Sequence, residues 1–490
     1  MIRIKRMIKK EASVTLFVCL AVPVLAVLIL SLLEGARYCG LKADAKEWPK
    51  LAAESLFAGY QSVLLDEYGL FFLDGSFGTG ELNIQRTEDE MKLLLQENFS
   101  AGSGDFGVNL FRMQTDDVQV LKYRLATDES GKVFEMCAAN AMKKTLGQRA
   151  ARNILDKIEH AEKKAEEAGD PETVMTKADT ALKEAAEQKE EKMAEPADVS
   201  AMENPLELIP KLRRQGIVGL VLPEGKTVSG KTMSVDNCLL KRSCYRGNFR
   251  QPESPGWYER ILMQEFVKPL IGNAVAPKEE EALAYGTEYL ICGKGSDEEN
   301  LKGVVKKLLV VREALNFLYL QQDTAKQNEA LALASVLAGI VGNPAVVQAV
   351  EWGILAAWAY AESICDIKAL LSGKKIPLIK EASEWNTQLS NLSEAVSGEC
   401  GGAAHGLSYE NYLDVLLCRK TVKQIAYRSM DLMEKNIQNE EQYANCRMDA
   451  MLVGMKTETE FMADTLFFEI MGEDQIGGFA FSEQAEYVYH

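Results

Sequence analysis

The residue types that could carry chemistry are few and scattered. Three histidines (His160, His405, His490) and ten cysteines without a C-x-x-C pair do not match a zinc site or a thioredoxin-type redox site. Cys400 and His405 are close in sequence, but the members of a catalytic dyad usually lie far apart along the chain, so a glycine loop with a structural or bridged cysteine is the favoured interpretation. The sequence therefore assigns no catalytic residue and no metal ligand.

Two glycine clusters also fail as nucleotide-binding motifs. Residues Gly293–Ser296 lack the G-x4-G-K-[ST] spacing of a phosphate-binding loop, and Gly78–Gly80 stands alone after a short apolar segment. The chain contains neither a G-x-S-x-G elbow nor an H-E-x-x-H helix. We expect a non-enzymatic protein without a cofactor. The alternatives are an extracellular cell-wall-acting enzyme, which requires a cleft with paired carboxylates or a nucleophile and base, and a sensor ectodomain.

Charge and hydropathy indicate a membrane anchor. The net charge of −17 argues against nucleic acid, because phosphate binding needs clustered cations. Residues 12–33 are an uncharged run that spans about 33 Å as a helix, enough to cross a bilayer and longer than the apolar part of a cleaved signal peptide. The preceding tail is basic and predicts a cytoplasmic N-terminus and an extracellular bulk. Its cations are Arg3, Lys5, Arg6, Lys9 and Lys10.

The anchor carries a spaced motif. Pro23, Glu34 and Arg37 form the pattern P-x10-E-x2-R. This pattern resembles the N-termini of TadE- and TadG-like proteins of the Tad (tight adherence) pilus system. Pilins and TadE-type pseudopilins carry a Gly before the apolar run, where this chain has Lys10 and Glu11. The resemblance therefore implies a pseudopilin-like anchor that meets partner anchors, with no support for prepilin-type cleavage or filament formation.

Several short blocks extend the resemblance over most of the chain. They are Tyr68–Phe71, Asn204–Pro205 with Ile217–Pro223, Arg312–Phe317, Ala356–Glu362 and Gly406–Glu410. In this order the blocks resemble an uncharacterised family of single-pass proteins from Clostridia and relatives, often encoded beside Tad pilus genes. The resemblance implies membrane lipid and other Tad-type pilus or secretion proteins as partners, and a structural or assembly role.

Composition predicts an α+β fold that is mainly α. We expect a cytoplasmic tail (1–11), a transmembrane helix (12–33), a membrane-proximal α+β part (34–136), a charged helical-hairpin insertion (137–195) with coiled-coil or partly disordered character, and a mainly helical part (196–490) that packs with 34–136. Predicted strands cover Glu67–Gly75, Asp105–Leu125, Ile217–Leu222 and the C-terminal Tyr487–Tyr489. An exported setting would permit a disulfide between Cys238 and Cys244.

A second uncharged run, 330–350, does not favour another membrane crossing. Only nine of its residues are Leu, Ile or Val, and Gly342-Asn343-Pro344 interrupts it, which in lipid would leave backbone groups unsatisfied. Two alanine-rich helices buried in the protein core, the second extending to Ile367, explain it better. Charged residues on the apolar helices, Arg312 and Glu362 among them, are expected to form buried pairs that hold this core together.

Overall fold

A computed structural model of the chain describes residues 2–101, 112–143, 146–147, 151–156, 159–160, 163, 171–190, 204–250, 255–338, 343–466 and 478–489. The chain forms two compact units. Unit 1 comprises residues 1–129, 244–253 and 437–490, and unit 2 comprises residues 130–243 and 254–436. Most of the described chain is helical and the strands are antiparallel, which confirms the predicted α+β, mainly α class.

Unit 1 combines one very long helix with a small antiparallel sheet. Its elements are α1 (Ile2–Phe57), α2 (Ser62–Tyr68), β1 (Leu73–Asp74), α3 (Ile84–Ala101), β2 (Met113–Leu125), β3 (Met451–Ala463) and β4 (Phe479–Val488). Strand β3 is central. It pairs with β2 along one edge, and with β4 and the short β1 along the other. Residues from both ends of the chain therefore build this sheet.

The second half of α1 packs against the sheet. Leu41, Ala45, Ala52 and Phe57 recur at helical spacing and are buried in the core of unit 1. The ring of Phe57 lies 4.7 Å from that of Tyr487 on β4. Helix α1 thus continues beyond its apolar stretch as far as Phe57.

Two of the predicted strands in unit 1 are confirmed in part and one is largely wrong. In the region Asp105–Leu125, residues 113–125 form β2 and residues 105–111 lie outside the described residues; of the closing strand, Tyr487 and Val488 belong to β4. The strand predicted for Glu67–Gly75 is wrong over most of its length. α2 ends at Tyr68, where Gly69 adopts a left-handed conformation (φ 65°) that closes the helix, and only Leu73–Asp74 pair as strand.

Unit 2 is built from helices around one buried helix. Its elements are α4 (Asp128–Met142, which begins in unit 1), α5 (Pro171–Glu190), α6 (Pro205–Arg214), α7 (Ile217–Val221), α8 (Trp257–Val267), α9 (Gly286–Cys292), α10 (Asp297–Leu320), α11 (Thr324–Ala338), α12 (Pro344–Leu371), α13 (Leu392–Ser397), α14 (Tyr409–Cys418) and α15 (Val422–Ile437). Helix α12 packs against α5, α6, α7, α10, α11 and α13. Residues 353–367 of α12 are buried on every face, as expected for a helix enclosed by others.

The two alanine-rich helices predicted for 330–350 are confirmed as α11 and α12. The Asn343 side chain accepts a hydrogen bond from the amide of Ala345 and so caps α12, with Pro344 in its first turn. Helix α10 is capped in the same way, because Ser296 Oγ accepts a hydrogen bond from the amide of Glu299 (3.2 Å).

One further expectation for unit 2 needs correction. The buried strand predicted for Ile217–Leu222 is wrong, because this run forms the short helix α7; a short apolar run cannot be assigned to strand or helix by periodicity alone. The second arm of the charged hairpin, α5, packs on α12, where a Cβ at Gly353 would overlap Ala178. Much of the first arm lies outside the described residues.

Candidate functional site: a membrane junction and a buried charge cluster

The first half of α1 presents apolar side chains to every side. Between Val14 and Leu33 the exposed large apolar side chains are 37% to 71% accessible. A helix of a soluble domain would bury one face. In the part of the chain that the structure describes, α1 is the one helix long and apolar enough to cross a membrane.

Glu34 and Arg37 lie where this apolar stretch ends, and they join α1 to the end of β3. Glu34 is only 3% exposed; its carboxylate is 2.6 Å from Arg37 Nη1 and accepts a hydrogen bond from the amide of Leu466 (3.2 Å). Arg37 Nη1 also donates to the carbonyl oxygen of Asp464 (2.8 Å). The sequence predicts that this pair contacts partner anchors. In the structure the pair also binds the main chain just after β3.

The other residues of the anchor motif are placed differently. Pro23 lies exposed within the apolar half of α1, and the helix continues through it. Exposure leaves it available to lipid or to another helix. The side chains of Arg3, Lys5, Arg6, Lys9 and Lys10 lie outside the described residues, so the topology signal stays a prediction.

The predicted Cys238–Cys244 disulfide is not formed in the structure. Cys238 is a buried thiol whose sulfur lies 3.5 Å from the hydroxyl of Tyr289. Burial and the nearby carboxylate of Asp431 raise the pKa of Cys238 to about 11, so it is a poor nucleophile at neutral pH.

A cluster of buried charges lies at the centre of unit 2. Arg312 on α10 and Asp366 on α12 are both fully buried, and the guanidinium binds the carboxylate through Nε (2.9 Å) and Nη2 (2.8 Å). The remaining donors of Arg312 are satisfied by the carbonyl oxygen of Pro377 (2.9 Å), the Tyr412 hydroxyl (2.9 Å) and the Asn316 amide oxygen (3.0 Å). A buried arginine is tolerated only with partners of this kind.

A second ion pair extends the cluster into the segment after α12. Lys380 Nζ binds the carboxylate of Glu362 and lies 2.5 Å from Asp366 Oδ1. Glu362 also accepts hydrogen bonds from the amides of Asn386 (2.9 Å) and Thr387 (2.9 Å). Glu362 and Asp366 are four residues apart, so they share one face of α12 and both reach Lys380. The cluster therefore fixes the segment 376–387 to the helices.

The opposite charges of the cluster favour the charged forms of Asp366 and Lys380 against the cost of burial. Burial alone would raise the pKa of Asp366, but Arg312 and Lys380 lower it below its usual value. Burial would lower the pKa of Lys380, but Asp366 and Glu362 raise it. Two acids and two bases balance, every side chain has protein partners, and none is accessible to a substrate. The arrangement stabilises the fold and offers no group for catalysis. The sequence indicated Arg312 and Glu362 but gave no signal for Lys380.

Glu288 is a buried carboxyl that lacks a cation. It is fully buried on α9 and accepts hydrogen bonds from the amide of Ala274 (2.8 Å) and the hydroxyl of Tyr409 (2.8 Å). Its Oε2 atom has no hydrogen-bond partner in the described structure. Burial raises the pKa of Glu288 to about 7. A perturbed carboxyl can mark an active site, but this one faces no cleft to which a substrate has access.

One cavity is described on unit 2. A cavity of about 440 Å³ in unit 2 is lined by cations and aliphatic side chains: Lys306, Lys307, Val310, Val311, Leu416, Arg419 and Lys420. It contains no paired carboxylates and no nucleophile with a base. His405 is exposed and lies 3.4 Å from Glu384. Within the described ranges, no group of three or more His, Cys, Asp or Glu residues could hold a metal ion.

Comparison with known proteins gives one family. Residues 195–463, more than half of the chain, match the sequence model of a "Family of unknown function (DUF5702)". Neither the curated proteins nor the solved structures give a match.

Proposed function

The chain belongs to the DUF5702 family of unknown function. We propose that it is a non-enzymatic, membrane-anchored extracytoplasmic component of a Tad-like pilus or type II-like secretion apparatus. Its role there would be structural or in assembly, like that of a pseudopilin. The observation that carries the proposal is α1. This single helix provides both an apolar stretch of membrane length and the surface on which the sheet of unit 1 packs.

The anchor is supported by the energetics of insertion. Fourteen of residues 12–33 are Leu, Ile, Val or Phe, and at roughly −0.3 to −0.6 kcal/mol each they contribute about −4 to −8 kcal/mol. The same side chains would be costly in water. The basic residues before the stretch orient the N-terminus toward the cytoplasm, which places both units outside.

An assembly role is supported by the way the anchor joins the sheet. The Glu34–Arg37 pair binds the main chain at the end of β3, and Leu41 to Phe57 continue the same helix into the core of unit 1. Because no flexible linker separates the apolar stretch of α1 from unit 1, a force or a contact on the anchor acts directly on the folded unit. This fits a component that docks through its membrane helix, as the resemblance to TadE- and TadG-like anchors implies.

The proposal is tested by disulfide cross-linking within the membrane. In a Cys19→Ser background, single cysteines are introduced at each position from 20 to 30, membranes are oxidised, and adducts are identified by mass spectrometry. Expected are adducts that recur every three to four residues, on the face that contains Ala21 or Ala26, with a second apolar-anchored protein or a second copy.

A matched scan at the exposed positions 47, 50 and 51 beyond the membrane controls for random collisions. Cysteines from 20 to 30 that yield no adduct above this control would show a helix surrounded by lipid alone and would contradict the proposal. No observation in the described part of the chain favours the enzyme or the sensor alternative.

A further inference from the structure

Two buried thiols of unit 2 lie side by side. Cys365 is on α12 and fully buried, and Cys400 is 5% exposed at the end of the segment that follows. Both sulfurs lie against the same carbonyl oxygen, that of Ala395, at 3.4 Å from Cys365 Sγ and 3.9 Å from Cys400 Sγ. The two thiols are also close enough for each to be the largest influence on the pKa of the other. A disulfide would bring the two sulfurs to about 2 Å.

We propose that Cys365 and Cys400 form a structural disulfide bond in the mature protein, an assignment that rests on the extracytoplasmic location proposed above. Disulfides persist in oxidising compartments and are rare in the cytosol. The same location was the reason to predict a disulfide between Cys238 and Cys244, but in the structure the Cys238 thiol contacts the hydroxyl of Tyr289.

The surroundings position Cys400 for this bond. Lys368, one turn after Cys365 on α12, donates to the carbonyl oxygens of Val396 (2.7 Å) and Gly398 (3.1 Å), which holds the approach to Cys400 against the helix. Lys374 Nζ donates to the carbonyl oxygen of Cys400 itself (2.7 Å). The pairing geometry is therefore set by contacts that do not depend on the bond.

The chemistry balances with a disulfide oxidant, either a small molecule or a protein. Cys400, the less buried of the two, attacks the oxidant as its thiolate. It forms a mixed disulfide and releases one thiolate from the oxidant. Cys365 then loses its proton, attacks the Cys400 sulfur and releases the second thiolate. The two cysteines lose two electrons and two protons, and the oxidant becomes two thiols. Burial of both sulfurs places the exchange during folding, before the segment closes.

The bond would fix the chain that follows α12, from Lys380 to Cys400, at both of its ends. Glu362 and Asp366 on α12 bind Lys380, and Cys365 on the same turn would bind Cys400. A loop of about 35 residues closed in this way restricts the unfolded chain, and reduction should lower the thermal midpoint of unit 2 by roughly 5 °C or more.

The bond is tested on the full chain isolated from membranes of cells quenched with N-ethylmaleimide, without reductant. Digestion and mass spectrometry should give a peptide pair joined through Cys365 and Cys400, which is lost after reduction and absent in Cys365→Ala. In parallel, a membrane-impermeant maleimide reports whether the exposed Cys39 faces the outside. If Cys39 is labelled from outside while Cys365 and Cys400 are both recovered alkylated, the disulfide proposal fails and the location stands.

If Cys39 is not reached and both thiols are alkylated, the location fails, and a second arm decides the thiol pair. The purified full chain is unfolded and refolded with glutathione disulfide, which should join Cys365 to Cys400. Recovery of two separate thiols would overturn the assignment.

A stability cycle separates a bond from mere packing. Under oxidising conditions Cys365→Ala, Cys400→Ala and the double variant should lose the same amount, because any one of them removes the bond. Reduction should lower the midpoints of the wild type and of a Cys292→Ala control, which keeps the pair, and should leave the midpoints of the three pair variants unchanged. Losses that add in the double variant, with a wild-type midpoint insensitive to reductant, would contradict the proposal.

Discussion

Two long apolar helices of this protein have opposite surroundings. The first half of α1 exposes nearly all of its large apolar side chains, whereas residues 353–367 of α12 are buried on all sides. α12 carries Glu362 and Asp366, and unit 2 provides Lys380 and Arg312 to neutralise them. The apolar stretch of α1 has no charge, and its first buried ion pair begins at Glu34, just beyond it.

The difference shows what separates a membrane helix from a core helix. Apolar content does not distinguish the two kinds of helix, because α1 and α12 are both rich in apolar residues. Charged residues in the middle of α12 would cost about 2.5 to 3.5 kcal/mol each in lipid, but inside the protein they find partners. Substitutions in each helix test this difference.

Two charges in the middle of α1 should abolish membrane anchoring. Leu25→Lys with Leu28→Lys changes the insertion free energy by about 6 to 8 kcal/mol, which cancels most of the favourable total. The protein should shift from the membrane pellet to the supernatant in alkaline carbonate extraction.

The matched control places lysine at two apolar residues of unit 2 with similar exposure, Val310 and Val336. Val310→Lys with Val336→Lys should leave the protein in the pellet. Equal release of both double variants would mean that the apolar stretch of α1 is not the anchor.

Loss of one acid from α12 should destabilise unit 2. Asp366→Ala leaves Arg312 buried without its carboxylate, which costs about 3 to 5 kcal/mol. Urea unfolding of the detergent-solubilised chain, followed by tryptophan fluorescence, should show a lower midpoint. Asp236→Asn, at an exposed carboxylate, is the control and should leave the transition unchanged. A loss below 1 kcal/mol for Asp366→Ala would show that the cluster does not hold unit 2 together.

Removing the cation at the membrane junction should have a moderate effect. Arg37→Ala leaves the Glu34 carboxylate with one fewer partner and frees the carbonyl oxygen of Asp464, at a cost of about 1 to 3 kcal/mol for unit 1. Thermal unfolding measures it. The control, Lys50→Ala, breaks an exposed pair with Glu47 of the same helix and should be nearly neutral. Equal effects would show that the junction pair is only a surface contact.

The smallest effect concerns a buried carboxyl without a cation. Because burial raises the pKa of Glu288 to about 7 in the folded state, the folded protein binds this proton more tightly than the unfolded chain. Protonated Glu288 therefore adds to the free energy of unfolding at low pH, and this contribution is lost as pH rises through 7. Between pH 6 and pH 8 the free energy of unfolding should fall by about 1 kcal/mol from this group. Glu288→Gln should remove this part of the pH dependence in urea titrations. An unchanged slope would place the titration elsewhere.

The sequence predicted features that depend on local patterns. The apolar stretch of α1 is visible because lipid requires an uninterrupted run, and the break at Gly342-Asn343-Pro344 between α11 and α12 is visible because it involves neighbouring residues. Arg312 and Glu362 were expected to be buried because a charge on an apolar helix needs a partner inside the protein.

Features that depend on distant contacts were missed. Strand β3 was not predicted, and its register is set by pairing with β2, more than 300 residues earlier in the chain. The role of Lys380 could not be predicted either, since it lies in an irregular segment and only the fold brings it to Glu362. Glu34 and Arg37 were noticed for their spacing, but their attachment to the end of β3 is a tertiary contact of the same kind.

The most direct test of the central claim is the accessibility of Cys39. This cysteine lies on α1 six residues beyond Leu33 and is exposed. Intact cells that express the full chain are treated with a membrane-impermeant maleimide, with Cys39→Ser as the background. The account predicts that Cys39 is labelled in intact cells and that the protein stays in the carbonate-resistant membrane fraction. Labelling only after the membrane is permeabilised would place this end of α1 in the cytoplasm and contradict an extracytoplasmic assembly component.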